Sequence, residues 1–490
     1  MHSNVSYKSG VLLHPTSLPG RGIIGEIGPD AYRFIDDLSE MGQSIWQILP
    51  IGPVDRYSSP YSSSSTFAGN ELLISLDLLT EDCLLDYSYL DKFYQKDIHN
   101  ILFSDIHKYK LPILRYVSEN FDRKASLEIK SRFDKFCLDE SYWLDGYARF
   151  CALKNMNNNK SWINWDVKSS SSLIEEHYIK ITQFIFHDQW NRLRKYCKGK
   201  NIKIIGDMPI YVGYDSADVY TNQNLFQLDD SGEMEYKAGC PPCEYQKDGQ
   251  VWGNPLYQWT EHENTNFEWW RNRFKKLLDM VDIIRLDHFI GYERHYRIPI
   301  NDKTAINGEW IKSPGEKLFS SMESLINKEN IIAEDLGDVT TQVTNLRDKY
   351  KYQGMRVLQF DFEQIPNLNN SINDTVVYTG THDNDTILGW FNSLTKLDSN
   401  PDILTQEKVL NFLNCSLDQL NWEAINYAMG SSSQTCIIPM QDVLSLESSS
   451  RFNTPGTLSS NNWSWRMKEH LDTSTKSRLM ELTKMNNRKM

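Results

Sequence analysis

Eight short apolar, β-branched runs recur along this chain, several of them followed by a loop and an amphipathic stretch, and this recurrence limits the folds open to it. The runs cover residues 10–14, 45–50, 203–210, 283–288, 331–335, 355–360, 376–383 and 436–440. Their nearly unbroken apolar character is that of parallel strands buried on both faces. Between them, apolar spacing predicts helices over 29–41, 175–197, 267–279 and 340–350. The first opens on Pro29 and stops at Gly42, a start and a stop signal in the right order. Strands alternating with helices build either an open doubly wound sheet or a closed barrel, and the count of eight favours an α/β fold of the (β/α)8 TIM-barrel type.

The spacing is uneven. About 150 residues separate the second run from the third, far beyond an ordinary crossover. Residues 72–163 therefore read as an inserted, mostly helical subdomain, and 211–265 as a second insertion of groove loops, within one catalytic unit spanning 1–490. Little chain follows the eighth run, so a C-terminal β-sandwich domain is not expected. The formal net charge is −13. Such a surface repels phosphate backbones and anionic bilayers, which argues against nucleic-acid and membrane partners, whereas a neutral polymer is indifferent to it. No apolar run approaches the roughly 20 residues of a membrane span, and residues 1–10 lack the apolar centre of a signal peptide. The eight cysteines are scattered, which fits a reducing, cytoplasmic setting better than a disulfide framework.

Barrel enzymes carry their chemistry at the C-terminal ends of the strands. There, the fourth run ends in Arg285-Leu286-Asp287-His288, the fifth in Glu334-Asp335 and the seventh in His382-Asp383-Asn384. Arg285 and Asp287, two residues apart on a strand, share a face, and an arginine beside a carboxyl favours its ionised form. Any one of these acids could simply cap the next helix. Three at strand ends, with arginine and histidine beside them, suit glycoside cleavage with retention. That reaction needs an ionised nucleophile, a protonated acid that later serves as base, and a group favouring the cationic transition state.

The same residues carry a family resemblance. RLDHF at 285–289, AEDLG at 333–337 and YTGTHDND at 378–385 resemble motifs of the 4-α-glucanotransferases of glycoside hydrolase family 77. GVLLHPTSLPG at 10–20, SPY at 59–61, FAGN at 67–70, GDMPIYV at 206–212 and DSADVY at 215–220 are similar to that family in the same order. GQVWGNPLYQW at 249–259, SPGEKLF at 313–319, IPMQDVL at 438–444 and NTPGT at 453–457 continue it. The resemblance implies transfer of an α-1,4-glucan segment from a maltooligosaccharide or glucan donor to glucose or glucan, through a covalent glycosyl-enzyme. It implies Asp287 as nucleophile, Glu334 as acid/base and Asp383 as transition-state stabiliser. Arg285 would align and ionise Asp287, His382 would contact sugar hydroxyls, and Asp207 would be a further active-site acid. Tyr57, Ser59, Gln250, Trp252 and Asn453 would line the glucan groove. No metal or other cofactor is expected. Two further readings share part of this pattern: an amylase-type α-1,4-glucan hydrolase with the same carboxylates, and a non-catalytic glucan-binding protein.

Pyranose C–H faces pack on aromatic rings while the hydroxyls need polar partners. Trp252 suits that use, whereas Tyr257 and Trp259 read better as anchors of their loop. Two positions depart from the family pattern. Ile290 stands where an arginine is usual, and Cys243 stands in place of an aspartate after paired prolines. Cys240-Pro-Pro-Cys243 has the spacing of a redox motif, but it lies in a Gly/Pro-rich loop without the helix N-terminus that activates such a thiol.

Overall fold

The structure, a computed structural model, describes residues 7–488 apart from 55–57, 95–100, 102, 166–170, 244–245, 363–374 and 397–402. Twelve strands occur among the described residues: β1 Lys8–Leu12, β2 Ile45–Gln47, β3 Lys203–Met208, β4 Tyr236–Cys240, β5 Gln250–Pro255 and β6 Ile283–Leu286, then β7 Arg294–Pro299, β8 Glu309–Lys312, β9 Ile331–Ala333, β10 Gly354–Val357, β11 Thr375–Tyr378 and β12 Thr435–Pro439.

Eight of these form one parallel sheet in the order β10-β11-β12-β1-β2-β3-β6-β9. A parallel bridge between Ile332 and Gln353 joins its two ends, with the Ala333 amide donating to the Gln353 carbonyl at 2.7 Å. The sheet is therefore a barrel. Each of the eight apolar runs contributes one strand, and in several the last residues leave the sheet to form the rim. The ends of runs 203–210, 283–288, 331–335 and 376–383 lie beyond Met208, Leu286, Ala333 and Tyr378 in this way. Strand interiors such as Ile204, Ile284, Ile332 and Ile437 are buried, as a layer packed on both faces requires. Gly10 in β1 sits so close to β2 that an added Cβ would stand 2.4 Å from the Ile45 carbonyl oxygen.

Helices lie outside the barrel. Pro29–Glu40 follows β1, Leu173–Gly199 precedes β3, Glu268–Met280 precedes β6 and Thr341–Tyr350 follows β9. Between β2 and β3 the described chain is helical over Leu76–Glu81, Ser88–Phe93, Phe103–Tyr109, Leu111–Lys124, Leu127–Asp139 and Ser141–Met156. An aromatic seam joins this region to the long helix Leu173–Gly199. Phe184 meets Phe133 edge-on at 5.6 Å and Phe121 at 6.1 Å between ring centroids. The stretch 211–265 contains more than loops. Its strands β4 and β5 form an antiparallel hairpin, and β4 pairs onward with β7 and β7 with β8, giving a second sheet in the order β5-β4-β7-β8.

Among the described residues no strand follows β12. The last described residues are instead the helix Thr473–Met485 and, just after it, Arg488, whose buried guanidinium donates to the carbonyls of Lys8, Met429, Ser431, Ser433 and Gln434. Among those residues, too, no helix is long and apolar enough to cross a membrane.

Candidate active site

The polar groups converge at the C-terminal mouth of the barrel, and strand register brings them there. Asp207 of β3 is paired with Arg285 of β6. Leu286 of β6 is paired with Ala333 of β9, so Asp287 and Glu334 are the next residues out on neighbouring strands. The Asp287 amide donates to the Met208 carbonyl at 3.1 Å and the Glu334 amide to the Leu286 carbonyl at 3.0 Å, which extends the ladder past the regular strands.

Arg285 organises the group. A single nitrogen, Nη1, reaches Asp207 Oδ1 and Oδ2 at 2.9 and 2.8 Å and Asp287 Oδ1 at 2.9 Å. Burial alone would lower the arginine pKa, but the two carboxylates hold it well above the usual guanidinium value. A charge buried this deeply is tolerated only because it is paired and hydrogen-bonded. Tyr61 closes the far side: its hydroxyl donates to Asp207 Oδ2 at 2.7 Å, and its ring stacks on His382 at 5.1 Å.

Glu334 is held differently. Its Oε2 accepts the His288 amide at 2.7 Å. His288 has φ 47°, a left-handed conformation uncommon for a residue with a side chain. Its imidazole meets the edge of Trp252 at 4.9 Å, and burial lowers its pKa to about 4, so it stays neutral. Burial raises the pKa of both central acids, Glu334 to about 8 and Asp287 to about 7, with Arg285 opposing the rise at each. Asp287 keeps a quarter of its side chain exposed and touches Arg285 directly, so of the two it gives up its proton first.

Asp383 lies beyond β11 in a turn fixed by its neighbours. Asn384 Oδ1 accepts from the Thr381 amide and hydroxyl at 2.9 and 2.8 Å, and Thr381 Oγ1 accepts the Asp383 amide at 3.2 Å. Asn453 Nδ2 donates to Asp383 Oδ1 at 2.7 Å, and His382 Nε2 stands 3.4 Å from the same oxygen. Burial keeps His382 below its ordinary pKa, with Asp383 pulling the other way.

The flanking groups come from outside the barrel strands. Gln250 and Trp252 stand on β5, where Trp252 Nε1 donates to Gln250 Oε1 at 2.9 Å. Ser59 Oγ accepts the Tyr61 amide at 3.2 Å and so braces the segment that carries Tyr61. Tyr57 lies outside the described residues. Tyr257 is buried, and its hydroxyl donates to the Ile210 carbonyl at 2.6 Å; it anchors its loop, and Trp259 packs on it at 5.1 Å. The structure thus brings Asp207, Arg285 and Asp287 into direct contact, and Asp383, His382 and Asn453 likewise. It adds Tyr61, and Trp463, which packs on both Tyr61 and His382. Among the described residues no three His, Cys, Asp or Glu side chains cluster as metal ligands.

A family model described as 4-alpha-glucanotransferase matches residues 13–472. The 4-alpha-glucanotransferase of Synechocystis sp. is 40% identical over 479 residues, covering 94% of this chain and 93% of that protein. That of Streptococcus pneumoniae is 38% identical over 500 residues, 97% of this chain and 96% of the other. The chain belongs to the 4-alpha-glucanotransferase family. Among solved structures, the amylomaltase from Streptococcus agalactiae in complex with acarbose is 34% identical with a TM-score of 0.91, covering 99% of this chain and 100% of that one. The amylomaltase from Corynebacterium glutamicum, 18% identical with a TM-score of 0.79, shares the fold over 98% of this chain and 74% of its own. The family's activity is 4-alpha-glucan transfer, and neither the hydrolase nor the non-catalytic reading is favoured beside it.

Within this 4-alpha-glucanotransferase framework the two departures take clear positions. Ile290 is buried and packs in the main core, so the site gains no donor there. Cys243 is an exposed free thiol at the β4–β5 turn, where its amide and carbonyl pair with those of Gln246 at 3.0 and 3.1 Å. Cys240, at the end of β4, is also free, and burial raises its pKa to about 11, the reverse of an activated redox thiol.

Proposed function

We propose that this chain cuts α-1,4-glucans and passes the cut segment to the 4-hydroxyl of glucose or another glucan by retaining double displacement. Asp287 attacks the anomeric carbon. Glu334, protonated, donates to the departing oxygen as the glycosidic bond breaks, leaving the sugar esterified to Asp287. The acceptor hydroxyl then gives its proton to the Glu334 carboxylate while its oxygen attacks the same carbon and frees Asp287. Asp383, oriented by Asn453, supports positive charge on the sugar in both steps. Arg285 keeps Asp287 ionised and aimed, Asp207 holds Arg285 in place from behind, His382 binds hydroxyls beside the scissile bond, and Ser59, Gln250 and Trp252 line the groove.

The observation that carries this reading is the unequal setting of two adjacent acids: Asp287 contacts the Arg285 guanidinium at 2.9 Å, whereas Glu334 is raised by burial and aimed by a backbone amide at 2.7 Å. One acid is tuned to be charged and the other to keep its proton. Chromatography of the products from maltotriose tests it. The parent should give both longer and shorter chains, and Asp287→Asn should fold normally with turnover below about 1%. Glucose release without chain redistribution by the parent, or substantial transfer by the variant, would count against the assignment. The eight free thiols support placing the enzyme in the cytoplasm.

A further inference from the structure

The segment 448–453 lies against the turn that carries Asp383. Ser448 Oγ donates to Asp385 Oδ2 at 2.6 Å, and the Asn453 amide donates to the His382 carbonyl at 3.1 Å. Arg451, between them, reaches across the junction. Its Nε donates to the carbonyl of Asn453 at 2.7 Å and its Nη2 to the carbonyl of Asp383 at 2.5 Å. These two nitrogens form one straight edge of the guanidinium. A rigid edge with two parallel donors fixes the separation of the two acceptors, which a single ammonium cannot do. The residues so fixed are the two that meet through their side chains, Asn453 Nδ2 on Asp383 Oδ1 at 2.7 Å.

We propose that Arg451 is a positioning residue for the transfer reaction: it sets the Asn453–Asp383 hydrogen bond, and with it the aim of the Asp383 carboxylate, without touching substrate. Arg451 also lines a cleft beside His382. The inference rests on the reading of Asp383 as stabiliser of the transition state. A carboxylate misplaced by about 1 Å loses catalytic effect on the order of 100-fold while hydroxyl contacts elsewhere persist. The effect of losing Arg451 should therefore fall on kcat.

The experiment compares Arg451→Ala, Arg451→Lys, Asn453→Ala, the double variant Arg451→Ala/Asn453→Ala and Asp383→Asn on maltotriose. Arg451→Ala should lower kcat about 30- to 100-fold with KM changed less than about 3-fold, and Arg451→Lys should recover little of it. Added guanidinium or ethylguanidinium should restore several-fold activity to Arg451→Ala and none to the parent. The double variant should lose no more than the worse single one, because both act on one carboxylate. Full kcat in Arg451→Lys, a loss confined to KM, additive losses, or absence of rescue would each overturn the proposal. So would failure of both Arg451 variants to fold, which would make the residue a structural staple. If Asp383→Asn is itself active, the reading of Asp383 fails and not the positioning argument alone.

Discussion

Asp287 and Glu334 are acids of one type in one mouth, and their neighbours set them apart. Burial raises both, to about 7 and about 8, and the direct Arg285 contact keeps Asp287 the stronger acid. On the proposed mechanism, activity requires Asp287 ionised, so it falls as pH drops through the lower value. It requires Glu334 protonated, so it falls as pH rises through the upper one. kcat/KM should follow a bell centred between these two, with macroscopic limits that belong to the pair. A profile flat from pH 6 to 10 would remove Glu334 from the acid role. In the β4–β5 turn Cys243 is exposed, and a thiol is a weak hydrogen-bond partner for a sugar hydroxyl. Cys243→Asp should lower KM for maltotriose several-fold with kcat unchanged, since a hydrogen bond to a charged group is worth about 1.5–3 kcal/mol; steady-state kinetics at fixed pH decides it. The placement of Asp207, Arg285, Asp287 and Glu334 was legible because each lies in the C-terminal part of an apolar run and strand period assigns its face. Tyr61 and Trp463 were not singled out: each sits in an irregular Ser- or Asn-rich stretch, where no periodicity tells which way a ring points. Arg451 was hidden for a related reason, since its partners are backbone carbonyls, which leave no mark on a sequence.

At the scale of elements, the barrel strands were legible and the second sheet was not. A parallel strand covered on both faces is apolar along its interior, and runs such as 436–438 show it. β4 and β5 are short, partly exposed and interrupted by Gly239 and Gly253, and β4 takes β7, far along the chain, as its other neighbour. Nothing local in 236–255 announces such a pairing. Yet this sheet carries Gln250 and Trp252, and sets Trp252 against His288 at the barrel mouth. Within the barrel, β1 and β2 pack too closely at Gly10 for any side chain, because the obstacle is the Ile45 backbone and not a movable rotamer. Gly10→Ala should cost about 1–3 kcal/mol, read as a shift in the denaturant midpoint with an unchanged slope. An unaltered midpoint would show that the two strands can part without penalty.

For the molecule as a whole, closure depends on residues far apart in sequence. β1 pairs with β2 on one side and with β12 on the other, and Arg488 binds carbonyls from both sides of that junction. Arg488→Met leaves five buried or half-buried carbonyls short of a donor, so it should lower stability by at least about 3 kcal/mol while kcat at low temperature stays within about 2-fold. Thermal unfolding and low-temperature assays on one preparation separate the two effects; a Tm unchanged by the substitution would refute the clasp. The β1–β12 pairing also bears on biosynthesis. β12 leaves the ribosome about 430 residues after β1, so at about 5–20 residues per second the first strand waits roughly 20–90 s for its second neighbour. Throughout that interval the nascent chain presents an apolar strand edge, and shielding it falls to whatever chaperones attend translation.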